Sequence, residues 1–279
     1  MNNTKKEIMD WNERQIIERL KELQGFEIYS SAFVASDKCT SKGTVIIKDT
    51  NNSLIEIVAK YVYDNKIDFG YKSQKGKEIR EGKEFRFINH KGYSTEKSSY
   101  QEKIICRNWF NNGFYIENKK YGEVVDYESN IIKNTNTNID IVSYNKESQS
   151  LYLIEVKGNG KVENGKLKID SQESLLRCIL EIETYYETLK NNGLLEVEGF
   201  IDNIKSGVER IDFEKDRNSL KEDNVKLLIL VPKESFAHRM YLEKKEYPYV
   251  HKLLNEKYTN IKVDFFENVQ DIFDKKLNK

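Results

Sequence analysis

Proline is almost missing from this chain, at two residues in 279, Pro232 and Pro248. No Pro-rich linker can therefore separate its parts, and boundaries must be taken from pattern. Cysteine is equally scarce. Cys39, Cys106 and Cys178 are far apart, odd in number and without metal-ligand spacing, which excludes a disulfide framework and reads as reduced thiols. His90, His238 and His251 are isolated and give no zinc pattern. No apolar run approaches the roughly 20 residues that span a bilayer. The opening segment MNNTKKEIMDWNER also lacks the hydrophobic stretch of a signal peptide, so the expectation is a cytoplasmic protein without a membrane partner. Net charge is zero, so the whole molecule has no standing attraction for a polyanion. Internal repeats and low-complexity tracts are absent from the sequence.

What is present is a globular composition. Apolar residues make up 38% and charged residues 33%, with 17 Tyr and 13 Phe, which argues against disorder. The length allows one large domain or two modest ones. Charge is uneven locally. Lys72 to Lys103 holds nine basic residues against five acidic ones, and Glu181 to Asp223 twelve acidic against six basic; solvated surface charge accounts for either segment alone.

Residues 5–24 carry Met9, Ile16, Leu20 and Leu23 at helical spacing, and Gly25 supplies a stop. Short β-rich runs follow: FEIYSSAFV, GTVIIKD, SLIEIVAKYVYD, KIDFGY and KEFRFIN, separated by turn-formers. They predict an antiparallel meander over about residues 26–89. The polar stretch 90–98 is the best linker candidate, dividing a smaller N-terminal α+β accessory domain, residues 1–95, from a second domain, 96–279. Recognition, sensing or dimerisation are the roles open to the first.

The second domain begins with Ser99-Tyr100-Gln101-Glu102, a capping-box pattern opening a helix through Asn111. FYIENKKY, NIDIVSY and SLYLIEVKG then predict three strands. A helix over 171–190 follows, with Leu175, Ile179, Ile182, Tyr186 and Leu189 on one face. The strand VKLLILVPK, a helix over 235–257 and the strand IKVDFFE complete the pattern. The fold class expected is α/β (α+β), a mixed sheet with helices on its faces.

NIDIVSY and LYLIEVK can be joined as a hairpin with a loop at Asn145 to Ser150, so that paired positions sum to 295. Asp140 then lies opposite Glu155, and the period of two puts Lys157 on the same face. Two carboxylates across a strand pair repel. Lys157 offsets this in part; a divalent cation would do so better, because Mg²⁺ favours one or two carboxylates with waters and phosphate oxygens. Such a site suits phosphodiester hydrolysis, Lys157 orienting the nucleophile or stabilising developing charge. An ordinary ion pair between Glu155 and Lys157 explains the same spacing without chemistry.

An acid at one strand end, then a hydrophobic strand ending Glu-x-Lys-Gly, then a helix, resembles the restriction-endonuclease-like, PD-(D/E)XK, nuclease superfamily. The resemblance implies an αβββαβ core over about residues 99–232. It implies Asp140, Glu155 and Lys157 as catalytic residues, with Asp140 and Glu155 holding Mg²⁺ or Mn²⁺. Glu102 matches an acid that many members use as a further metal ligand, although the capping box also explains it. Gln172 matches a polar helper at the start of the next helix, and the helix dipole alone would favour it as well. Arg177 and Tyr185 come within reach of a substrate backbone, but Arg177 is also an i,i+4 partner for Glu173. The chain departs from the motif at its proline, since Ile139 precedes Asp140.

The activity implied is that of a metal-dependent endonuclease, on DNA rather than RNA, in a restriction or phage-defence setting. The alternative is a catalytically silent nucleic-acid-binding or regulatory protein on the same fold. A further alternative is a nuclease gated by a sensing N-terminal domain. The basic exit of the meander, with Tyr71, Phe85, Phe87 or Tyr93, offers phosphate contacts and stacking, although alternating aromatics also serve a core. Cutting both strands at once would call for a homodimer.

Overall fold

A computed structural model of the chain describes residues 11–31, 33–34, 53–73, 79, 106, 110, 120–132, 137–145, 147–163, 166–170, 173–193, 195 and 224–266, with the backbone alone of 159–163 and 166–170. The described part is an α+β structure built on a five-stranded mixed sheet. No helix among the described residues is long and apolar enough to cross a membrane.

Helix α1, Glu13–Lys21, starts at a reciprocal cap in which the Asn12 side chain accepts from the Gln15 N–H and Gln15 accepts from the Asn12 N–H. It buries Ile16 and Leu20. Residues 5–10 of the predicted first helix lie outside the described residues. Helix α2, Gly25–Ser30, corrects the expectation of a strand at FEIYSSAFV. Gly25 does not end a helix but begins one. It lies so close to the neighbouring chain that a Cβ there would stand 2.1 Å from the Asp68 carbonyl oxygen.

Helix α3, Leu54–Asp64, is the second correction, since SLIEIVAKYVYD reads as a strand by its β-branched and aromatic content. Ser53 Oγ accepts from the Glu56 N–H at 3.2 Å, capping the first turn. Leu54, Ile55, Ile57, Val58, Ala59 and Val62 are buried, so burial on three- and four-residue spacing overrides strand propensity. KIDFGY forms no strand either. The Phe69 N–H is taken by the Glu187 carboxylate and the Tyr71 N–H by Thr188 Oγ1, which removes both from any ladder. GTVIIKD, KEFRFIN and the 90–98 linker lie outside the described residues, as does the 95/96 boundary.

Strands β1 (Glu123–Asn130), β2 (Asn138–Asn145) and β3 (Ser150–Val156) run antiparallel in sequence. FYIENKKY is not the first of them. Its Lys120 and Tyr121 form a turn, and the rest lies outside the described residues. Gly122, at φ +82°, leads into β1 against the Tyr144 carbonyl, where a Cβ would be only 2.0 Å away. Beyond β3 comes a small separate hairpin, β4 (Asn159–Glu163) and β5 (Lys166–Asp170).

Helix α4, Leu175–Asn191, then carries the chain to β6, Val225–Pro232, which pairs parallel with β3. The predicted helix over 235–257 is broken into α5, Phe236–Leu242, and α6, Pro248–Lys252, which continues as a π-turn over Leu253–Lys257. Pro248 has no N–H to extend a helix and disfavours a helical residue before it, so it opens a new one. Strand β7, Ile261–Phe266, pairs parallel with β6 and completes the order β1-β2-β3-β6-β7.

One face of the sheet, through Val142, Tyr144, Leu151, Leu153, Leu227 and Ile229, packs in a single cluster with α4 and with Ile16, Leu20, Ile28 and Val58. The helices before residue 73 thus share a core with the sheet. The other face, through Tyr127, Ile141, Ile154 and Leu228, packs with Cys106 and Phe110. Those two residues are helical, within the helix expected over 99–111, and otherwise that segment lies outside the described residues.

Candidate active site

Strand β3 has neighbours on both sides, so every residue from Ser150 to Val156 is buried. Apolar side chains are what such a strand ordinarily carries. Glu155 breaks the rule within the strand and Lys157 just beyond it, with side chains 1% and 6% exposed. The backbone does not fray there, because the Lys157 N–H continues the ladder to the Leu230 carbonyl at 2.9 Å.

The hairpin register is the one the sequence predicts. Ile141 pairs with Ile154 and Tyr144 with Leu151. Asp140 is the next step, across from Glu155, and alternation from Val142 and Leu153 sets both toward the α4 face. The Asp140 carboxylate reaches over the gap to accept the Val156 N–H at 2.8 Å.

Helix α4 supplies the other half. Ser174 Oγ accepts the Arg177 N–H at 3.1 Å and caps the helix, so Glu173 stands just ahead of it rather than in its first turn. Glu173, Arg177, Glu181 and Tyr185 recur every four residues, a stripe along one side. That stripe lies against the end of β3. Lys157 Nζ is in ion pairs with Glu155, with Glu181 at 3.1 Å and with Glu173 at 3.3 Å. Arg177 bonds Glu173 at 3.1 Å and approaches Glu181 at 3.8 Å. The Tyr185 hydroxyl donates to Glu181 at 3.0 Å, and the Tyr29 hydroxyl from α2 is hydrogen-bonded to that of Tyr185. Glu173 and Arg177, 18% and 25% exposed, reach solvent more than Glu155, Lys157 and Glu181 do.

Ionisation follows from these contacts. Burial works against a charge on Glu181, but Lys157 and Arg177 outweigh it and hold the carboxyl below its usual range. Burial works against Arg177 too, and Glu173 and Glu181 overcome it and raise its pKa. Tyr29 is pushed up to about 12 by burial, then by Glu181 and Glu155, and burial with Glu181 drives Tyr185 well above the phenol range. Both tyrosines are neutral hydrogen-bonding groups at ordinary pH.

Of the residues expected to act, Asp140, Glu155 and Lys157 come together at one end of the hairpin. Glu102 and Gln172 lie outside the described residues. The partner brought to Lys157 from the helix start is Glu173. Glu181 and Tyr29 were not foreseen. The four-residue recurrence from Glu173 could have pointed to Glu181, whereas Tyr29 arrives by tertiary packing and leaves no local signal.

Among the described residues no three His, Cys, Asp or Glu side chains are gathered as a metal-ligand group. The carboxylates converge on the Lys157 ammonium instead. Glu155, Glu173 and Glu181 stand about Lys157 and Arg177, and the Asp140 carboxylate lies one strand across on the Val156 N–H, a set of oxygen donors of the type that hard divalent cations take.

Comparison of the chain with family models, with curated proteins and with solved structures gave no match, which leaves the function to be argued from this site.

Proposed function

We propose that the protein is a Mg²⁺-dependent nuclease acting on DNA, as the resemblance of Asp140, Glu155 and Lys157 to the PD-(D/E)XK motif implies. The observation that carries the reading is the lysine buried among three carboxylates at the end of the central strand, with Asp140 beside it. Taking so many charges out of water costs several kcal/mol per ion, and apolar residues of similar volume would serve stability as well or better. Ionisable groups concentrated in this way mark a candidate functional site. The sheet order supports the same reading. Three antiparallel strands and then, beyond the inserted β4–β5 hairpin, a helix crossover to a parallel strand are compatible with the βββαβ part of the αβββαβ core.

Asp140 and Glu155 would hold the cation, whose chemistry there would be to lower the pKa of a bound water and to polarise a phosphodiester. A phosphate entering the cluster meets the Lys157 ammonium and the Arg177 guanidinium, the two groups able to stabilise charge developing on its oxygens. Glu181 fixes both cations in place, and Tyr185 fixes Glu181. A restriction or phage-defence role is the setting in which this activity makes sense for the chain.

The second reading, a silent nucleic-acid-binding or regulatory protein, is favoured by the pairing itself, because Lys157 is 6% exposed and engaged with three carboxylates. One assay separates them. Double-stranded DNA, single-stranded DNA and RNA are incubated with Mg²⁺, Mn²⁺ or EDTA, beside Asp140→Ala and Lys157→Ala. Metal-dependent cleavage lost in both variants is the expected result. Binding without cleavage, unchanged in the variants, would overturn the enzyme reading in favour of the silent one.

A further inference from the structure

A cavity of about 330 Å³ opens beside the charged cluster, between α2, the β1–β2 connection and α4. Phe26, Tyr29, Tyr71 and Tyr185 give it aromatic walls. The Phe26 and Tyr71 rings stand 4.5 Å apart and those of Tyr29 and Tyr185 6.3 Å apart. Its size is at the low end of the roughly 300–1,000 Å³ that takes small ligands, so it suits one ring system rather than a base pair.

The lining also says what the ligand is not. The charged side chain among the described lining residues is an acid, Glu27, and no cation accompanies it. A phosphate has no partner there. Thr184 lies in the same wall with its hydroxyl fixed on the Leu180 carbonyl at 2.6 Å, and Thr188 Oγ1 is fixed between the Tyr71 N–H and the Thr184 carbonyl. Aromatic faces with a few fixed hydrogen-bonding groups suit a flat, neutral, polar-edged ring, the description of a nucleobase.

The phosphate partners lie next door. Tyr29 and Tyr185 line the cavity and also join it to Glu181, which holds Lys157 and Arg177. A base in the cavity and its backbone at the cluster would use adjoining parts of one surface. We propose that this cavity receives a single unpaired nucleobase of the strand bound at the Lys157 cluster, making single-stranded or locally opened nucleic acid the preferred substrate. The proposal rests on the nucleic-acid reading above, and it concerns recognition rather than hydrolysis.

Binding is therefore measured apart from cleavage, with Ca²⁺ in place of Mg²⁺ to offset the carboxylates of the cluster, by anisotropy of labelled single-stranded and duplex oligonucleotides. The unaltered chain is compared with Phe26→Ala and Tyr71→Ala, both at half-buried positions. Loss of one base–aromatic stack predicts about tenfold weaker single-strand binding in each, with duplex binding unchanged. Single-strand affinity unaltered in both folded variants would overturn the proposal. So would duplex binding as tight as single-strand binding in the unaltered protein. An independent measurement needs no variant: 2-aminopurine placed once in the strand loses emission when it stacks in the cavity, and undiminished emission at every position counts against it. If the strand binds through the cavity but no metal supports cleavage, the cavity stands and the hydrolase reading falls. If duplex is cut equally by the protein and both variants, the reverse holds.

Discussion

Glu181 and Glu183 are two residues apart on α4, about 200° around the helix, and burial works against the charge on both. On one side Lys157 and Arg177 keep Glu181 ionised below its usual range. On the other, burial and the nearby Glu187 push Glu183 up to about 8, with Lys190 and Lys257 offering only partial relief. The second side is a joint. Glu187 and Thr188 take the backbone N–H groups of Phe69 and Tyr71, and Lys257 donates to the carbonyls of Val62, Tyr63 and Asn65 at the end of α3. Glu187 and Lys257 thus satisfy backbone groups at and just beyond the end of α3. The first side, by contrast, spends its charges on one another. That difference separates a site from a seam: the same helix carries groups that bind structure together and groups that hold one another charged.

The sharpest way to break the comparison is to remove the cation at its centre. Lys157→Met leaves Glu155, Glu173 and Glu181 facing each other in a buried space, and loss of one partner from such a cluster costs about 3–5 kcal/mol. Urea unfolding measures it. Cleavage should fall at least about 10²-fold, the usual effect of losing one group that stabilises transition-state charge. The combination of Lys157→Met with Glu155→Gln is expected to recover part of the stability and none of the cleavage. Recovery of cleavage would mean that the ammonium does no chemistry.

The pH dependence of the two glutamates should run in opposite senses. Glu183 has a folded pKa above its ordinary value of 4.5, so the folded chain binds the extra proton. Its stabilising neutral state is complete below about pH 4.5, and stability is lost as pH rises toward about 8. Glu183→Gln removes that slope and should stabilise the protein by roughly 2 kcal/mol at pH 8, read from urea midpoints across the range. Glu181 has its pKa lowered, so the stability it contributes is present above its ordinary 4.5 and is lost as pH falls below that. Glu181→Gln should destabilise at pH 7 by about 1–3 kcal/mol and flatten the acid limb. Changes of slope of the same sign in the two variants would erase the distinction between the two sides.

How much of this was legible depended on where each signal lay. The hairpin of β2 and β3, with its register, could be read because strict alternation meets a short polar loop, and α4 because its apolar spacing runs for several turns. The hairpin of β4 and β5 was missed although Asn164-Gly165 is a strong turn signal within GKVENGKLK. The N-terminal helices were misread for a physical reason: Ile, Val and Tyr in SLIEIVAKYVYD favour strands as residues but fall on a helical face as a pattern. At the site, Asp140, Glu155 and Lys157 were visible because hairpin geometry is local. Glu181 and Tyr29 were not, because they reach the cluster only when α4 lies on the sheet and α2 lies on α4.

The smallest effect tests the seam from its far end. Ser53-Leu54-Ile55-Glu56 has the spacing of a capping box, but only half of it is used in that way. Ser53 Oγ caps α3, while the Glu56 carboxylate turns to the N–H groups of Tyr249 and Val250 at the start of α6, at 2.9 and 3.2 Å. Helix α3 is thus tied at its start through Glu56 and at its end through Lys257. Ser53→Ala removes one cap and should cost about 1 kcal/mol, seen as a shifted thermal midpoint. With the seam holding α3 at both ends, the loss stays local, and nucleic-acid binding and cleavage at the Lys157 cluster should be unchanged. A fall in cleavage out of proportion to that small loss of stability would mean that the seam and the site are mechanically coupled, and that α4 transmits between its two faces.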